Sequence, residues 1–187
     1  MTRSRGHLFI ISAPSGAGKT TLARAALSRH ADMLYSVSYT TRKPRAGEQD
    51  GIDYHFISKQ DFKKGIKEER WAEWAQVYGN YYGTSAEFID GSLSAGRDIL
   101  LDIDIQGTIQ ILKKYPDTVT IFILPPSMDT LKKRLEMRGT DSIQVIEKRL
   151  VNARNEMAQK DLYRHIIVND NLSKAIKELS AIFKKYR

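Results

Sequence analysis

Leu8-Phe9-Ile10-Ile11-Ser12-Ala13-Pro14-Ser15-Gly16-Ala17-Gly18-Lys19-Thr20 reads as a buried strand, a glycine-bearing turn and the opening of a helix that continues through Leu22, Ala26 and Leu27. This strand–loop–helix order is the setting that a phosphate-gripping loop requires. Glycines let successive backbone N–H groups face one anion, and the start of the helix adds partial positive charge. In such a loop Lys19 reaches the β- and γ-phosphates of a nucleotide, and the Thr20 hydroxyl ligates Mg2+. Ala13 stands where the GxxxxGK[ST] pattern has its first glycine. An ordinary backbone conformation suffices there if the turn begins after it. Ala13, Pro14, Ser15, Gly16, Ala17, Gly18, Lys19 and Thr20 are therefore the expected nucleotide cradle.

A length of 187 residues suits one domain with excursions from a common core. With 41% hydrophobic and 28% charged residues, the composition is that of a globular protein rather than a disordered one. No apolar run approaches the length of a membrane-spanning helix, so no membrane partner is expected. Arg3 and Arg5 precede an apolar run too short for a secretory signal, and its removal would destroy the loop. Residues 1–7 read as a solvated arm. The chain has no cysteine, which excludes disulfides and thiolate metal sites and suits a reducing, cytoplasmic setting. The net charge of +8 favours polyanionic ligands. Because the lysines scatter along helical patterns without interleaved aromatics, a solvated basic surface explains that charge better than a nucleic-acid footprint.

The remaining pattern alternates strands and helices, with one interruption. Leu8–Ser12 is a buried strand, Lys19 to about Arg29 a helix, and Tyr35-Ser36-Val37-Ser38 alternates like a strand before a polar, arginine-bearing segment. Tyr54–Ile57 is a short strand. Ser58 with Asp61 resembles a capping box opening a helix through Phe62 and Ile66. Trp71–Val77 and Tyr81–Thr84 read as two strands joined near Gly79-Asn80. Residues 36–95 thus form a β-rich insertion. Ile99–Leu101 then ends in Asp102-Ile103-Asp104 before a helix through Ile109 and Leu112, and Val119–Leu124 is closed by Pro125-Pro126. Two basic helices, Asp129–Arg138 and about Ser142–Lys160, precede the strand His165–Val168 and a last helix from Ser173. The expected class is α/β, a P-loop parallel sheet core with helices on both faces. That core takes in about residues 1–35, 96–125 and 161–187 of a single domain. Asp102, ending a buried strand, either organises Mg2+ through water or caps the following turn.

A second group of residues follows the loop. Ser38-Tyr39-Thr40-Thr41-Arg42-Lys43-Pro44-Arg45 carries two arginines whose forked donors suit a phosphate monoester. Downstream come Tyr54, Glu73 and Tyr81-Tyr82-Gly83-Thr84. The stretches APSGAGKT, SYTTRKPRAGEQDGIDYHF, EWAQVYGNYYGT, ILLDIDIQG, LKKRLEMRG and IVND, in this order, closely resemble guanylate kinases over nearly the whole chain. The TTRxPRxGExxGxDYxF pattern is the most specific of them.

The resemblance implies a GMP-binding lobe over about residues 36–95 and a helical lid over about 126–160. It implies that Arg42, Arg45, Tyr54 and Tyr82 hold the GMP phosphate, two cations and two phenols against a dianion. It gives Glu73 the guanine N1–H and 2-amino group, Ser38 and Thr84 the O6 atom, and Asp104 a further acceptor role at that amine. Arg134 and Asn169 would lie by adenine. Lys19, Arg42, Arg138 and Arg149, with Mg2+, would surround the migrating phosphoryl group. The substrates implied are ATP and GMP, with dGMP. Thr84 stands where serine is common in the family, and Tyr39 replaces a small residue without an evident role. Three rivals remain: a kinase-like scaffold module that does not catalyse, a P-loop kinase acting on AMP or dTMP, and a nucleic-acid binder. The intact Lys19, Thr20 and arginine set argues against the first, and Glu73 with Ser38 and Thr84 against the second.

Overall fold

The computed structural model describes residues 5–77, 79–137, 139 and 142–187. Arg138 and the Thr140-Asp141 link between the two basic helices lie outside these residues. In chain order the elements are β1 (Leu8–Ser12), α1 (Lys19–Leu27), β2 (Leu34–Tyr35), β3 (Tyr39–Thr40), β4 (His55–Phe56), α2 (Lys59–Lys67), β5 (Trp71–Val77), β6 (Asn80–Ser85) and α3 (Ala86–Ser94). There follow β7 (Ile99–Asp102), α4 (Ile105–Lys114), β8 (Val119–Leu124), α5 (Met128–Met137), α6 (Ile143–Met157), β9 (His165–Val168) and α7 (Leu172–Tyr186). They fall into two compact units, one of Met1–Leu8, Asp32–Leu101 and Gln106–Thr118, the other of Phe9–Ala31, Asp102–Ile105 and Val119–Arg187.

The strands of the α/β pattern pair in parallel. In the second unit β1 runs beside β8, with Phe9 opposite Val119, and β8 beside β9, with Ile121 opposite His165. In the first unit β2 pairs with β7, Leu34 opposite Ile99. Every residue of β1 and all but the last of β8 are buried, which explains unbroken apolar runs in place of alternation. Phe9 meets Phe183 of α7 edge-to-face, with ring centres 5.0 Å apart. Leu131 and Leu135 of α5 are buried with Ile146 and Ala153 of α6, so the two basic helices share an apolar seam. Among the described residues no helix is long and apolar enough to cross a membrane.

The insertion is a four-stranded sheet in the order β4-β3-β6-β5. Here the structure corrects the sequence reading in two places. The alternation at Tyr35–Ser38 suggested one strand, but Ser36 N–H still bonds the Leu100 carbonyl beside β7, whereas the Ser38 carbonyl accepts from His55 N–H. The chain therefore changes partners near Val37, which alternation cannot reveal. The insertion also contains a helix, α3, whose N-cap Ser85 accepts from Phe88 N–H at 3.2 Å. Ser58 does cap α2, and its second bond to Asp61 is between side chains: Ser58 Oγ accepts from Asp61 N–H at 3.0 Å and donates to the Asp61 carboxylate at 2.6 Å.

One face of the four-stranded sheet is covered by α2 through an aromatic stack. Phe62, fully buried, lies 4.4 Å from Trp71 and 5.3 Å from Tyr81, centre to centre. Burying such a ring contributes about 1.5–3 kcal/mol. Gly83 lies beneath it, where a Cβ would come within 2.9 Å of Phe62 Cζ and 3.0 Å of the Glu73 carbonyl. Tyr39 belongs to the same packing, 5.0 Å from Trp71 and stacked at 4.5 Å on His55. The large residue at that position therefore extends the aromatic layer.

Candidate active site

The phosphate loop is set by two left-handed glycines, Gly16 at φ 96° and Gly18 at φ 93°. Ala13 is not among the residues with positive φ, so the turn does begin after it and alanine is unstrained. Gly18 is the N-cap of α1 and no side chain caps the helix start. That leaves the first-turn N–H groups and the positive end of the helix facing the loop. Ser12 Oγ donates to the Ile103 carbonyl at 2.7 Å, tying the end of β1 to the segment that carries Asp102 and Asp104. Lys19 is ion-paired with Asp102.

Residues of α5, of α6 and of the end of β9 bond to this loop within the same unit. Asn169, buried, donates through Nδ2 to the Ala17 carbonyl at 2.8 Å. Arg134 donates to the same carbonyl at 3.3 Å and to the Asn169 carbonyl at 2.9 Å. Arg149 Nη1 donates to Ser15 Oγ at 3.5 Å. Ala13–Thr20, Arg134, Arg149 and Asn169 are thus brought together. Glu156, two turns beyond Arg149 on α6, was not anticipated. Burial raises its carboxyl above the ordinary value, Lys19 opposes that rise and the Asp104 charge adds to it. No local pattern on a basic helix marks such a residue.

In the first unit the ladder aligns the polar residues. Glu73 is opposite Thr84 across β5 and β6, and Tyr39 is opposite Gly83 across β3 and β6. Extending the second register by one residue sets Ser38 opposite Thr84. Glu73, Thr84 and Ser38 thus form one row, and Tyr82, two residues from Thr84, shares its face. Glu73 is only 6% exposed and accepts from Thr84 Oγ1 at 2.6 Å. A carboxylate has several acceptor sites, and the Thr84 hydroxyl takes one of them.

Beside that row lies a cationic corner. The Arg42 guanidinium stands 5.3 Å from the Tyr54 ring centre, and the Tyr54 and Tyr82 rings meet edge-to-face at 6.0 Å. Hydrogen bonding to Glu48, opposed by burial and reinforced by Tyr82, raises the Arg42 pKa further. Glu48 had no role in the expected set, although it is a fixed letter of the TTRxPRxGExxGxDYxF pattern. It accepts two bonds from Arg42, at 2.9 and 2.8 Å, and one from Arg45 N–H at 2.7 Å. The Arg42 and Arg45 N–H bonds hold its carboxyl below the usual range. The Lys43 carbonyl takes a further Arg42 N–H at 2.8 Å. Three guanidinium N–H donors are therefore used in aiming the side chain at Glu48 and Lys43, and Tyr82 is a further hydrogen-bonding neighbour. The Arg45 side chain is exposed. Asp104 belongs to the second unit, unlike the other seven residues of the expected GMP set.

Comparison with known proteins agrees with this geometry. The sequence profile of the family described as Guanylate kinase matches residues 5–186. Guanylate kinase of Nitrosospira multiformis is 46% identical over all 187 residues, covering 89% of that protein. Guanylate kinase of Pseudoalteromonas translucida is 48% identical over the same span, covering 91% of its length. Among solved structures, guanylate kinase from Anaplasma phagocytophilum aligns over the whole of this chain and 88% of its own, with a TM-score of 0.81 and 30% identity. A phosphate loop followed by an acid–hydroxyl row and an arginine–tyrosine corner, in a chain matched end to end, makes this protein a member of the guanylate kinase family.

Proposed function

We propose that this protein transfers the γ-phosphoryl group of ATP to GMP, and to dGMP, in the cytoplasm, yielding ADP with GDP or dGDP respectively. The observation that carries the reading is the buried Glu73 carboxylate in one row with Thr84 and Ser38, beside the Arg42–Tyr54–Tyr82 corner. Guanine offers N1–H and a 2-amino group to a carboxylate and O6 to hydroxyls, whereas adenine has a lone pair at N1. A site built on such a bond rejects the partner lacking it by about 10⁴-fold. Arg42, Arg45, Tyr54 and Tyr82 hold the GMP phosphate, and Asp104 adds an acceptor for the exocyclic amine. In this reading residues of about 36–95 are the acceptor lobe, those of about 126–160 the lid, and the rest the core.

The loop of residues 13–20 holds the ATP phosphates through backbone N–H groups. Lys19 exchanges Asp102 for phosphate oxygens, and Arg134 and Asn169 border the adenine. Thr20 and Asp102 supply hard oxygen donors, which suit Mg2+ shared with nucleotide phosphates and water. Among the described residues no three His, Cys, Asp or Glu side chains cluster to cage a metal alone. When bound, Mg2+ neutralises charge on the migrating group. The acceptor phosphate is already anionic, so attack needs no general base. Arg42, Arg138 and Arg149 compensate the charge spread over the equatorial oxygens. An ADP-release assay with GMP, AMP and dTMP as acceptors tests the reading. Release with GMP far above the other two is expected. No GMP-dependent release, or equal release with AMP, overturns it.

A further inference from the structure

β5, which carries Glu73, is the edge strand of the four-stranded sheet. An edge strand has one row of main-chain groups without a strand beside it, and its register is weakly held on that side. On β5 this row is met by side chains of α4, in the same unit. Gln110 Oε1 accepts from Trp74 N–H at 3.1 Å, and Gln110 Nε2 donates to the Trp74 carbonyl at 2.9 Å. One carboxamide thus offers a donor and an acceptor to a single residue, as a neighbouring strand does. Its other Nε2 hydrogen goes to the Gln106 carbonyl at 3.4 Å, one turn back along α4. Four residues on, along the same helix face, Lys114 Nζ donates to the Trp71 carbonyl at 2.9 Å.

These two clamps bracket the irregular place in the β5–β6 ladder, where the register shifts between Trp71 and Glu73. Such an irregularity re-aims a side chain, and a slip of one residue would turn Glu73 to the opposite face. We propose that Gln110, seconded by Lys114, is a positioning residue: by holding the main chain of Trp74 it fixes Glu73 and so sets discrimination among purine monophosphates. The proposal rests on the reading of Glu73 as the group that meets guanine. Gln110 needs no contact with substrate.

The test is Gln110→Leu, which keeps bulk and removes the bonds, assayed with GMP and with inosine monophosphate, which lacks the 2-amino group. The KM for GMP should rise about tenfold, with kcat and the KM for ATP little changed, and the preference for GMP over inosine monophosphate should shrink. Added to Glu73→Gln, the same change should cost little more, because the two act through one contact. An unchanged preference, or full additivity with Glu73→Gln, overturns the proposal in favour of a merely structural role. If Glu73→Gln itself leaves the preference intact, the guanine reading is what fails. Should Gln110→Leu not fold, Gln110→Glu carries the test. It keeps the acceptor for Trp74 N–H and loses the donor, so a smaller shift in preference supports the proposal and no shift overturns it.

Discussion

Replacing Glu73 with glutamine changes one oxygen into an amide nitrogen in a buried row, and its effect can be worked from the geometry. Oε1 accepts from Thr84 Oγ1 at 2.6 Å, and the side chain is 6% exposed. If the amide oxygen keeps that bond, the NH2 group faces two donors of guanine and both bonds are lost. If the amide turns over, one neutral bond to guanine survives and Thr84 must rotate its hydroxyl. Hydrogen bonds to a charged group contribute about 1.5–3 kcal/mol each and neutral ones about 0.5–1.5. Exchanging two of the former for at most one of the latter costs about 1.5–6 kcal/mol in transition-state binding. At about 1.4 kcal/mol per tenfold, kcat/KM for GMP should fall at least about 10-fold and up to about 20,000-fold. Adenine responds in the opposite sense, because its N1 accepts from the new NH2. Turnover of AMP should hold steady or rise by about fivefold, for one added bond near 1 kcal/mol. Paired ADP-release measurements with both acceptors on folded protein decide the matter. A fall below about threefold with GMP would refute the assignment of Glu73 as the purine reader.

Four further outcomes are expected. Lys19→Met should lower kcat about 10²–10³-fold, as loss of a preorganised charge does, while circular dichroism stays unchanged; an unaltered kcat removes Lys19 from the mechanism. Arg138→Ala should lower kcat far more than it weakens ATP binding; an unchanged kcat in steady-state kinetics with varied ATP removes the residue from the mechanism. Gly18→Ala introduces a Cβ 2.5 Å from Asn169 Nδ2 at φ 93°, so melting temperature and ATP affinity should both drop; normal ATP titration would contradict the loop geometry. Burial, then Arg187 and Lys184, hold His30 below its ordinary pKa of 6.5, so below that pH the unfolded chain takes up protons that the folded chain resists. Stability is therefore present above pH about 6.5 and falls as pH drops. The urea midpoint should decline from pH 7 to about pH 5, and less steeply in His30→Gln, with His165 carrying the remainder; equal slopes exclude His30.

Several elements were legible because their signals are local. The run Leu8–Ser12, the two glycines before Lys19 and the cap at Ser58 each act through residues a few positions away. What sequence could not supply was partnership. Tyr35–Ser38 alternates as one strand would, yet its two ends bond different sheets. Glu48 is marked as a letter of the TTRxPRxGExxGxDYxF pattern, but its bond to Arg42, six residues away in sequence, is visible only in the structure. Gln110 and Glu156 sit on helices where their neighbours carry no mark of what the far side touches. Helix α3 was obscured by Gly91 and its serines, weak helix formers that a strand-rich context outweighs.

The Ala17 carbonyl accepts both the Asn169 amide and a guanidinium N–H of Arg134. That oxygen shares a peptide unit with the N–H of Gly18. Drawing electron density toward the carbonyl end leaves the hydrogen at the other end more electropositive, by about 10–30% of a bond's strength in a cooperative chain. On the proposed reading, in which that N–H faces a nucleotide phosphate, Arg134 and Asn169 sharpen the donor inductively from behind the loop.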